Sequence, residues 1–313
     1  MTKIFTVTLN PAVDRELTVP YIVYDHVLRS NSQRIDFGGK GFNVSRMLNS
    51  LGLGSTAMGF VGGKSGELLD EGLSSLGIKT DFVWIEGETR TNVSIKSTQE
   101  NHYIKVNEPG PTITQGEQDG LLEKISCLCH PGDWWILAGS LPPGIPENYY
   151  ARMINLIQKQ KAGVVFDTSG KALVEGCQAL PFMIKPNEFE LQELSGMPID
   201  NIEQIIAAAK SLQAKGISVV IVSLGKNGAL MLSSKECLLA TPPQIKESNP
   251  IGAGDSMLGG MVWAMVKNYQ FVDVLRWGVA CGAAAASLSG TAVGSHKLVK
   301  NLVSLTQIQQ LMI

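Results

Sequence analysis

The sequence predicts an α/β fold with a central, mostly parallel sheet, helices on both of its faces and a small β-sheet that acts as a lid. Three observations predict the main body. Short apolar segments rich in β-branched residues alternate with segments of helical periodicity, which is typical of parallel sheets. Several strand segments are apolar throughout, as expected for strands that are covered on both faces. Glycine follows predicted helix ends, where a C-cap favours it, at Gly52, Gly77, Gly163 and Gly216.

The predicted elements alternate along most of the chain. The strands are Ile4–Leu9, Ser55–Val61, Asp133–Ala138, Val164–Asp167, Phe182–Lys185 and Val219–Ser223. The helices are Phe42–Leu51, Gly66–Leu76, Gln118–Cys127, Glu147–Lys161, Glu188–Leu194 and Ile202–Ala214, with further apolar helical runs at Met257–Val266 and Val279–Leu288. Because parallel strands end at one common edge, the residues that follow the strands are the expected ligand-binding positions.

Two regions, at about residues 12–37 and 88–107, interrupt this alternation. They contain short strands with polar alternation, such as residues 90–97 and 102–106, and no helical segment. We predict that both regions form one small sheet over the carboxyl edge of the main sheet, where it would close on a ligand. Because no low-complexity linker or internal repeat is visible, we predict a single domain, residues 1–313, that includes this lid.

The composition argues against several classes of function. Apolar residues make up 44% of the 313 residues, and the net charge is −2. Without a basic excess the chain does not attract nucleic acid through its overall field, so we expect no nucleic-acid partner. The N-terminal segment lacks the apolar core of a signal peptide, and no apolar run is long enough to span a bilayer. The five cysteines show no zinc or redox spacing, so we expect a cytoplasmic protein with reduced thiols and no membrane partner.

Two glycine-rich segments fail as nucleotide-binding motifs. Residues 52–57 match the letters of a dinucleotide fingerprint, but that motif follows a strand and opens a helix. Here the segment closes a predicted helix and leads into a strand. Gly62–Ser65 resembles the end of a phosphate-binding loop, but the first glycine of that motif would fall at Met58. The misplaced fingerprint argues against a dinucleotide-dependent oxidoreductase.

The strongest chemical signal is the segment from Gly252 to Asp255, which precedes the apolar helical run. Small residues allow the backbone to approach a ligand closely, and N–H groups at the start of a helix bind anions. The N–H groups of Gly252, Ala253 and Gly254 would stabilise charge on a transferring phosphoryl group. Asp255 would take the proton from the attacking hydroxyl. An aspartate at this position is also a common helix cap.

A second glycine-rich turn opens the helix that begins near Phe42. Gly38 and Gly39 permit close approach of the backbone to a polyol. Asn43 can donate to and accept from sugar hydroxyls, and Lys40 suggests a phosphate or another anion. Asp14 follows the first strand at the predicted carboxyl edge, where a carboxylate would bind adjacent hydroxyls. Each of these segments, taken alone, is also an ordinary turn.

Six segments, in this order, resemble the PfkB carbohydrate kinases, and more narrowly their branch of 1-phosphofructokinases and tagatose-6-phosphate kinases. The segments are residues 8–14, 38–43, 139–144, 185–191, 223–229 and 252–256. The resemblance spans the chain from residue 6 to about residue 290. It implies the ribokinase-like fold, ATP and Mg²⁺ as cofactors, and a small sugar phosphate as the partner of ATP.

The resemblance also implies roles for individual residues, with Asp255 as the base. The residues expected to bind the sugar are Asp14, Gly38, Gly39, Asn43 and Ser140. The phosphate already on the sugar would be held by Arg29 and Arg90 on the lid strands, with Lys40, because guanidinium groups bind phosphate in a bidentate manner. The residues expected near the nucleotide are Lys185, Asn187, Ser223, Gly225, Gly228, Gly254 and, in the alanine-rich helix against the adenine, Cys281. Glu190, acting through water, and Asn187 would serve the magnesium ion.

We therefore predict an ATP-dependent phosphotransferase that acts on a primary hydroxyl of a ketohexose monophosphate. A kinase of an unphosphorylated sugar or nucleoside is an alternative, although a neutral substrate needs no trio of Arg29, Lys40 and Arg90. A non-catalytic sugar-phosphate sensor is an alternative of another class. Residues 90–96 favour fructose 1-phosphate and residues 249–250 favour tagatose 6-phosphate, so both substrates remain open. The strands of the lid also allow a homodimer through the lid.

Overall fold

A mostly parallel sheet runs through the centre of the protein. This computed structural model describes residues 2–100 and 102–312. Within them the strands are β1 Ile4–Thr8, β2 Ala12–Val19, β3 Ser32–Gly38, β4 Thr56–Val61, β5 Lys79–Thr80, β6 Val83–Trp84, β7 Arg90–Ser97, β8 Tyr103–Val106, β9 Trp134–Ala138, β10 Gly163–Asp167, β11 Met183–Ile184, β12 Val219–Ser223, β13 Ala229–Ser233, β14 Cys237–Thr241 and β15 Gln307–Leu311. The helices are α1 Lys40–Ser50, α2 Gly63–Ser75, α3 Gln115–Leu128, α4 Tyr149–Lys159, α5 Gly170–Cys177, α6 Glu188–Ser195, α7 Ile202–Ala214, α8 Ala253–Val266, α9 Phe271–Ala286 and α10 His296–Leu305.

The central sheet confirms the predicted α/β class. Its strand order is β15-β14-β13-β12-β11-β10-β9-β1-β4-β5, and β6 also pairs with β4. The pairings from β12 to β5 along this order are parallel, whereas β12, β13, β14 and β15 pair in antiparallel fashion. The carboxyl ends of β1, β9, β10 and β11 therefore meet at one edge, which is where such sheets bind ligands.

Helices cover both faces of the sheet because its strands are apolar on both sides. In β1, Phe5 and Val7 belong to the core formed with α3 to α7, whereas Ile4 belongs to the core formed with α1, α8, α9 and α10. In β12, Val220 lies in the first core and Val219 in the second. Alternate side chains of a strand point to opposite faces, so one strand supplies apolar surface to two layers of helices.

A separate sheet forms from the two regions that were predicted as a lid. Within the described residues it has four strands in the order β3-β2-β7-β8. Its register places Asp14 opposite Asp36 on one side and opposite Asn92 on the other, so polar side chains share one face. Val13 pairs with Phe37 on the other face, and both pack against α2 in a third, small core. The separate sheet is confirmed, and its closure over a ligand stays a prediction.

Some local predictions were wrong. Gly163 is not a C-cap but the first residue of β10, and Lys161, with a φ of 58°, takes the left-handed position after α4. Arg29 does not lie on a strand of the lid, because it falls in the loop between β2 and β3. The antiparallel strands β13 to β15 and the helices α5 and α10 were not predicted; β15 has three glutamines in five residues and gives little apolar signal. None of the helices in the described residues is long and apolar enough to cross a lipid bilayer.

Candidate active site

Asp255 lies in the first turn of α8 and contacts α1. Its Oδ2 accepts a hydrogen bond of 2.8 Å from Nδ2 of Asn43. Both side chains are buried, and Oδ1 of Asn43 has no hydrogen-bond partner within the described residues. Burial raises the pKa of Asp255, and the nearby charge of Asp167 raises this pKa further. A buried carboxylate with a raised pKa is a candidate general base.

The backbone before Asp255 forms a turn with free donors. Gly252 has a φ of 79° at the N-cap of α8, a left-handed conformation that favours glycine. The N–H of Ala253 donates to the carbonyl of Pro250 at 3.1 Å, so one of the three predicted donors is already used. The N–H groups of Gly252 and Gly254 have no acceptor in the part of the chain that the structure describes. These two groups lie at the positive end of α8 and can bind an anion.

Asp167, which the sequence reasoning missed, ends β10 and joins two lysines. Its Oδ1 lies 3.3 Å from Nζ of Lys40, and its Oδ2 lies 3.3 Å from Nζ of Lys185. Burial would raise the pKa of Asp167, but the two ammonium groups outweigh burial and hold this pKa below its usual value. Burial likewise lowers the pKa of Lys40, but the charges of Asp167 and Asp255 raise it more. The sequence signal that could have identified Asp167 was a carboxylate at the end of an apolar strand, at the edge of the sheet where ligands bind.

Asp14 and Asn92 are neighbours on the polar face of the small sheet. Nδ2 of Asn92 donates to Oδ1 of Asp14 at 2.7 Å, and burial raises the pKa of Asp14. Oδ1 of Asn92, a residue that the sequence reasoning missed, is buried without a hydrogen-bond partner among the described residues. A Cβ on Gly38 would overlap Oδ2 of Asp14, and Gly39 has a φ of 153° with no room for a Cβ beside the ring of Phe42. Both glycines are therefore needed for the shape of this turn.

The residues predicted for the sugar phosphate differ in where the structure places them. Arg90 is partly buried at the base of the small sheet, where Nη2 donates to the carbonyl of Asn10 at 2.8 Å and Nη1 donates to the carbonyl of Glu108 at 2.9 Å. Ser140 is exposed and follows β9 at the carboxyl edge. Arg29 is exposed in the loop between β2 and β3, and within residues 2–100 and 102–312 it makes no hydrogen bond or ion pair with the other site residues.

A cavity of about 750 Å³ adjoins the first turn of α8. It is lined by five of the residues predicted for the nucleotide, namely Asn187, Ser223, Gly225, Gly228 and Gly254. Val279, Ala283 and Ala286 of α9 form an apolar wall. Lys226 and residues 241–245, which the sequence reasoning did not assign, complete much of the lining. The volume and the mixture of apolar and polar groups are typical of a small-molecule site.

The structure corrects the predicted position of Cys281. This thiol is fully buried and packs against α8, where a Cβ on Gly260 would lie 2.5 Å from its sulfur. Val279, Ala283 and Ala286 follow the helical repeat and share the face toward the cavity. Cys281 lies on another face of the same helix, so it supports the helix pair and does not line the cavity.

Asn187 and Glu190 bind each other's backbone at the start of α6. Oδ1 of Asn187 accepts from the N–H of Glu190 at 2.8 Å, and Oε2 of Glu190 accepts from the N–H of Asn187 at 2.9 Å. Among the described residues there is no group of three or more His, Cys, Asp or Glu side chains that could hold a metal ion. One carboxylate oxygen of Glu190 is left over, which fits a magnesium ion that keeps its waters and is held mainly by phosphates.

This chain resembles known carbohydrate kinases over nearly its whole described length. The sequence pattern of the pfkB family carbohydrate kinases matches residues 4–298. The 1-phosphofructokinase of Bacillus subtilis (strain 168) is 35% identical over 98% of this chain and 100% of its own length. The D-tagatose-1-phosphate kinase of Bacillus licheniformis is 35% identical over 92% of this chain and 93% of its own length. Phosphofructokinase-2 from Escherichia coli, solved in complex with fructose-6-phosphate and as a tetrameric inhibited form, is 30% identical, with a TM-score of 0.91 over 97% of this chain and 99% of that chain. This chain therefore belongs to the pfkB family of carbohydrate kinases, whose co-substrate is ATP.

Proposed function

We propose that this chain transfers the γ-phosphoryl group of ATP to a free primary hydroxyl of a ketohexose monophosphate, with fructose 1-phosphate as the first candidate. The observation that carries the proposal is the position of Asp255. A buried carboxylate, held by Asn43, lies on the same helical turn as the free N–H groups of Gly252 and Gly254. A base and anion-binding donors on one turn suit the transfer of a phosphoryl group to a hydroxyl.

In the proposed mechanism Asp255 accepts the proton of the attacking hydroxyl. The bond from the hydroxyl oxygen to the γ-phosphorus forms as the bond to the bridging oxygen of ADP breaks. Asn43 keeps the carboxylate oriented, and its remaining Oδ1 accepts a hydrogen bond from the sugar. The N–H groups of Gly252 and Gly254 stabilise charge on the phosphoryl oxygens, and this preorganised charge, together with positioning, accounts for most of the rate.

Arg90 is proposed to hold the phosphate that the sugar already carries. It uses three N–H donors on the carbonyls of Asn10, Pro11 and Glu108. Since a guanidinium group has about five such donors, roughly two are left for a phosphate. Two parallel bonds to one phosphate are the favoured geometry for arginine. Lys40 pairs with Asp167, and its pKa is raised by the charges of Asp167 and Asp255, so it is proposed to act at the transferred phosphoryl group rather than on this phosphate, whereas Arg29 is proposed to join Arg90.

Fructose 1-phosphate is preferred because the two relatives described above at 35% identity are named for sugars with the phosphate at position 1, whereas the enzyme solved with fructose-6-phosphate is 30% identical. D-Tagatose 1-phosphate is the second candidate, because it differs from fructose 1-phosphate in the configuration of one hydroxyl. Tagatose 6-phosphate and fructose 6-phosphate carry the phosphate at the other end of the sugar. Both belong in the same assay, since a cationic group alone does not decide which way the sugar lies.

Mg²⁺ is proposed as the metal ion that accompanies ATP. When bound, it would neutralise part of the charge on the β- and γ-phosphates. Glu190 would accept a hydrogen bond from a water of this ion through its remaining carboxylate oxygen. The phosphates themselves would lie at the start of α8 beside Lys185, next to the cavity.

The small sheet is proposed to serve both as a lid and as a contact between two copies of the chain. Its loop between β2 and β3 exposes 76% of Tyr24 and 87% of Val27. Exposed apolar clusters on a soluble protein commonly mark such contacts. Light scattering on the parent should give a mass of two or more chains, and Val27→Asp should lower that mass. A parent that is monomeric at high concentration would contradict this part of the proposal.

The proposed reaction is tested by ADP release with Mg-ATP and six sugars: fructose 1-phosphate, D-tagatose 1-phosphate, tagatose 6-phosphate, fructose 6-phosphate, free fructose and ribose. Turnover that is confined to phosphorylated ketoses supports the proposal and identifies the substrate. Turnover with free sugars alone would overturn the role of Arg90. Thermal stabilisation by a sugar phosphate without any turnover would instead favour a sensor.

A further inference from the structure

Asp167 differs from a buried structural carboxylate in what it binds. Asp133, which lies at the other end of the sheet before β9, is similarly buried, and its oxygens accept two backbone N–H groups at 2.9 and 3.0 Å. The carboxylate of Asp167 accepts no backbone N–H within the described residues; its oxygens lie 3.3 Å from the ammonium groups of Lys40 and Lys185. Because a buried charge requires partners, these two contacts explain why an ionised Asp167 is tolerated there.

The two lysines belong to segments that serve different halves of the proposed site. Lys40 is the first residue of α1, directly after the turn at Gly39 that is proposed to bind the sugar. Lys185 follows β11 and lies two positions before Asn187, which lines the cavity proposed for the nucleotide. The carboxylate of Asp167 thus connects the sugar side of the proposed site to its nucleotide side, because it pairs with one lysine from each.

Both ammonium groups also lie close to the proposed centre of transfer. A Cβ on Gly254 would lie 3.4 Å from Nζ of Lys185, so this ammonium group adjoins the start of α8. The charges of Lys40 and Lys185 both lower the pKa of Asp255. Long lysine side chains lose much rotamer freedom when they are fixed. A rigid carboxylate at the end of a strand removes that freedom before the substrates arrive.

We propose that Asp167 is a positioning residue that holds Lys40 and Lys185 on the two sides of the transferred phosphoryl group. This inference rests on the proposed kinase function and adds a residue to it. Asp167 does not touch the reacting atoms and acts only through the two ammonium groups. Because phosphoryl transfer depends on charge that is in place before the reaction, lysines that are no longer held should reduce turnover more than they weaken substrate binding.

The first test is Asp167→Asn, which keeps the size of the side chain and removes its charge. We expect kcat to fall by roughly 100-fold, with KM values for ATP and the sugar phosphate that change by less than about fivefold. Asp133→Asn is the matched control, since it places the same amide at a buried carboxylate far from the site, and its kcat per folded molecule should equal that of the parent. A parent-like kcat in Asp167→Asn, or an equal loss in both variants, contradicts the inference.

A double-mutant cycle with Lys40→Met shows whether Asp167 acts through that lysine. If it does, Asp167→Asn should lower kcat less in the Lys40→Met background than in the parent, because part of its effect has already been removed. If the loss of kcat in the double variant equals the product of the losses in the two single variants, Asp167 and Lys40 act independently, which would overturn the inference.

Amine labelling of Lys40, read by mass spectrometry on the unliganded protein, gives a readout that does not depend on activity. The side chain of Lys40 is 40% exposed, so a reagent reaches it. Loss of the Asp167 charge should lower the pKa of Lys40 and speed its labelling, whereas Asp133→Asn should leave the rate unchanged. If the parent is active but Asp167→Asn does not change the labelling rate of Lys40, the role of Asp167 is overturned and the proposed function is not. A change in labelling with a parent that is inactive on every sugar would leave the pairing intact and overturn the proposed function.

Discussion

Asn43 in α1 donates a hydrogen bond of 2.8 Å to Asp255 in α8, across 212 residues of the chain. This bond uses the amide nitrogen of Asn43 and leaves its oxygen without a partner among the described residues. The helix that begins in the glycine turn is therefore attached directly to the helix that carries the proposed base. A sugar hydroxyl bound to the oxygen of Asn43 would lie next to the carboxylate that is to accept its proton.

Asp255→Asn should remove nearly all turnover and leave the fold intact. Loss of a general base lowers rates by roughly 100- to 10,000-fold. The pKa of Asp255 is raised in the folded protein, so its ionised form costs stability above that pKa, and Asn should raise the melting temperature at neutral pH. ADP release and thermal melting check the two effects, with Asp200→Asn on the surface as the control. Near-normal turnover in Asp255→Asn would remove this residue from the role of base.

The pH profile of kcat should have its acid limb above the pKa of an ordinary aspartate. The base works only when it is ionised, and burial raises the pKa of Asp255, so activity should be lost as the pH falls through that raised value. The hydrogen bond from Asn43 lowers this pKa. Asn43→Ala should therefore move the acid limb to a still higher pH, together with a lower kcat. A limb that moves to lower pH in this variant would contradict the assignment.

Arg90→Ala should raise KM for the sugar phosphate far more than KM for ATP, because the charge that it removes is proposed to bind only the sugar. The variant also loses three hydrogen bonds to the carbonyls of Asn10, Pro11 and Glu108. Its free energy of unfolding should fall by about 1–3 kcal/mol. Steady-state kinetics and denaturant unfolding measure the two effects, with Arg152→Ala on the surface of α4 as the control. Equal changes in both KM values would remove the phosphate role.

Gly38→Ala should weaken sugar binding because a Cβ at this position overlaps Oδ2 of Asp14. Displacement of a carboxylate that is to bind sugar hydroxyls should raise KM for the sugar roughly tenfold or more, with little change in KM for ATP. Gly54→Ala is the control, since a Cβ there meets no atom within 4 Å. If both variants keep the KM of the parent, Asp14 does not bind the sugar.

Glu190→Gln should raise the Mg²⁺ concentration needed for half-maximal activity. The amide oxygen can still accept from the N–H of Asn187, so the helix start should be kept. The negative charge that is proposed to act through water is lost, and a severalfold increase is expected from such a neighbour of a metal ion. A magnesium titration at saturating sugar phosphate measures it, with Glu193→Gln on the exposed part of α6 as the control. An unchanged magnesium requirement would leave Glu190 only its role as a cap.

The main elements of the fold were predictable because apolar strands, helical periodicity and glycine turns are local signals. The starts of α1 and α8 were recognised from glycines whose backbone positions no other residue fills well. Asp167 and Asn92 were missed for a different reason. Their importance comes from strand order and register, which bring Asp167 beside Lys185 and Asn92 beside Asp14, and single-sequence patterns do not give those neighbours. Cys281 was misplaced because the face of a helix that meets a ligand depends on the helix packed behind it.

The position of β1 has a consequence for how the molecule is made. This first strand lies inside the sheet between β4 and β9, and its register pairs Ile4 with Trp134. Contacts between residues that are so far apart in the sequence form slowly, and an apolar strand is prone to aggregate until it has paired. In a growing chain, β1 therefore lacks one of its two neighbouring strands until β9 has left the ribosome, and until then it must be protected from aggregation. Gly39 would be synthesised long before Asp255, so the polypeptide would acquire its chemistry only after the residues of β1 to β14 have been made.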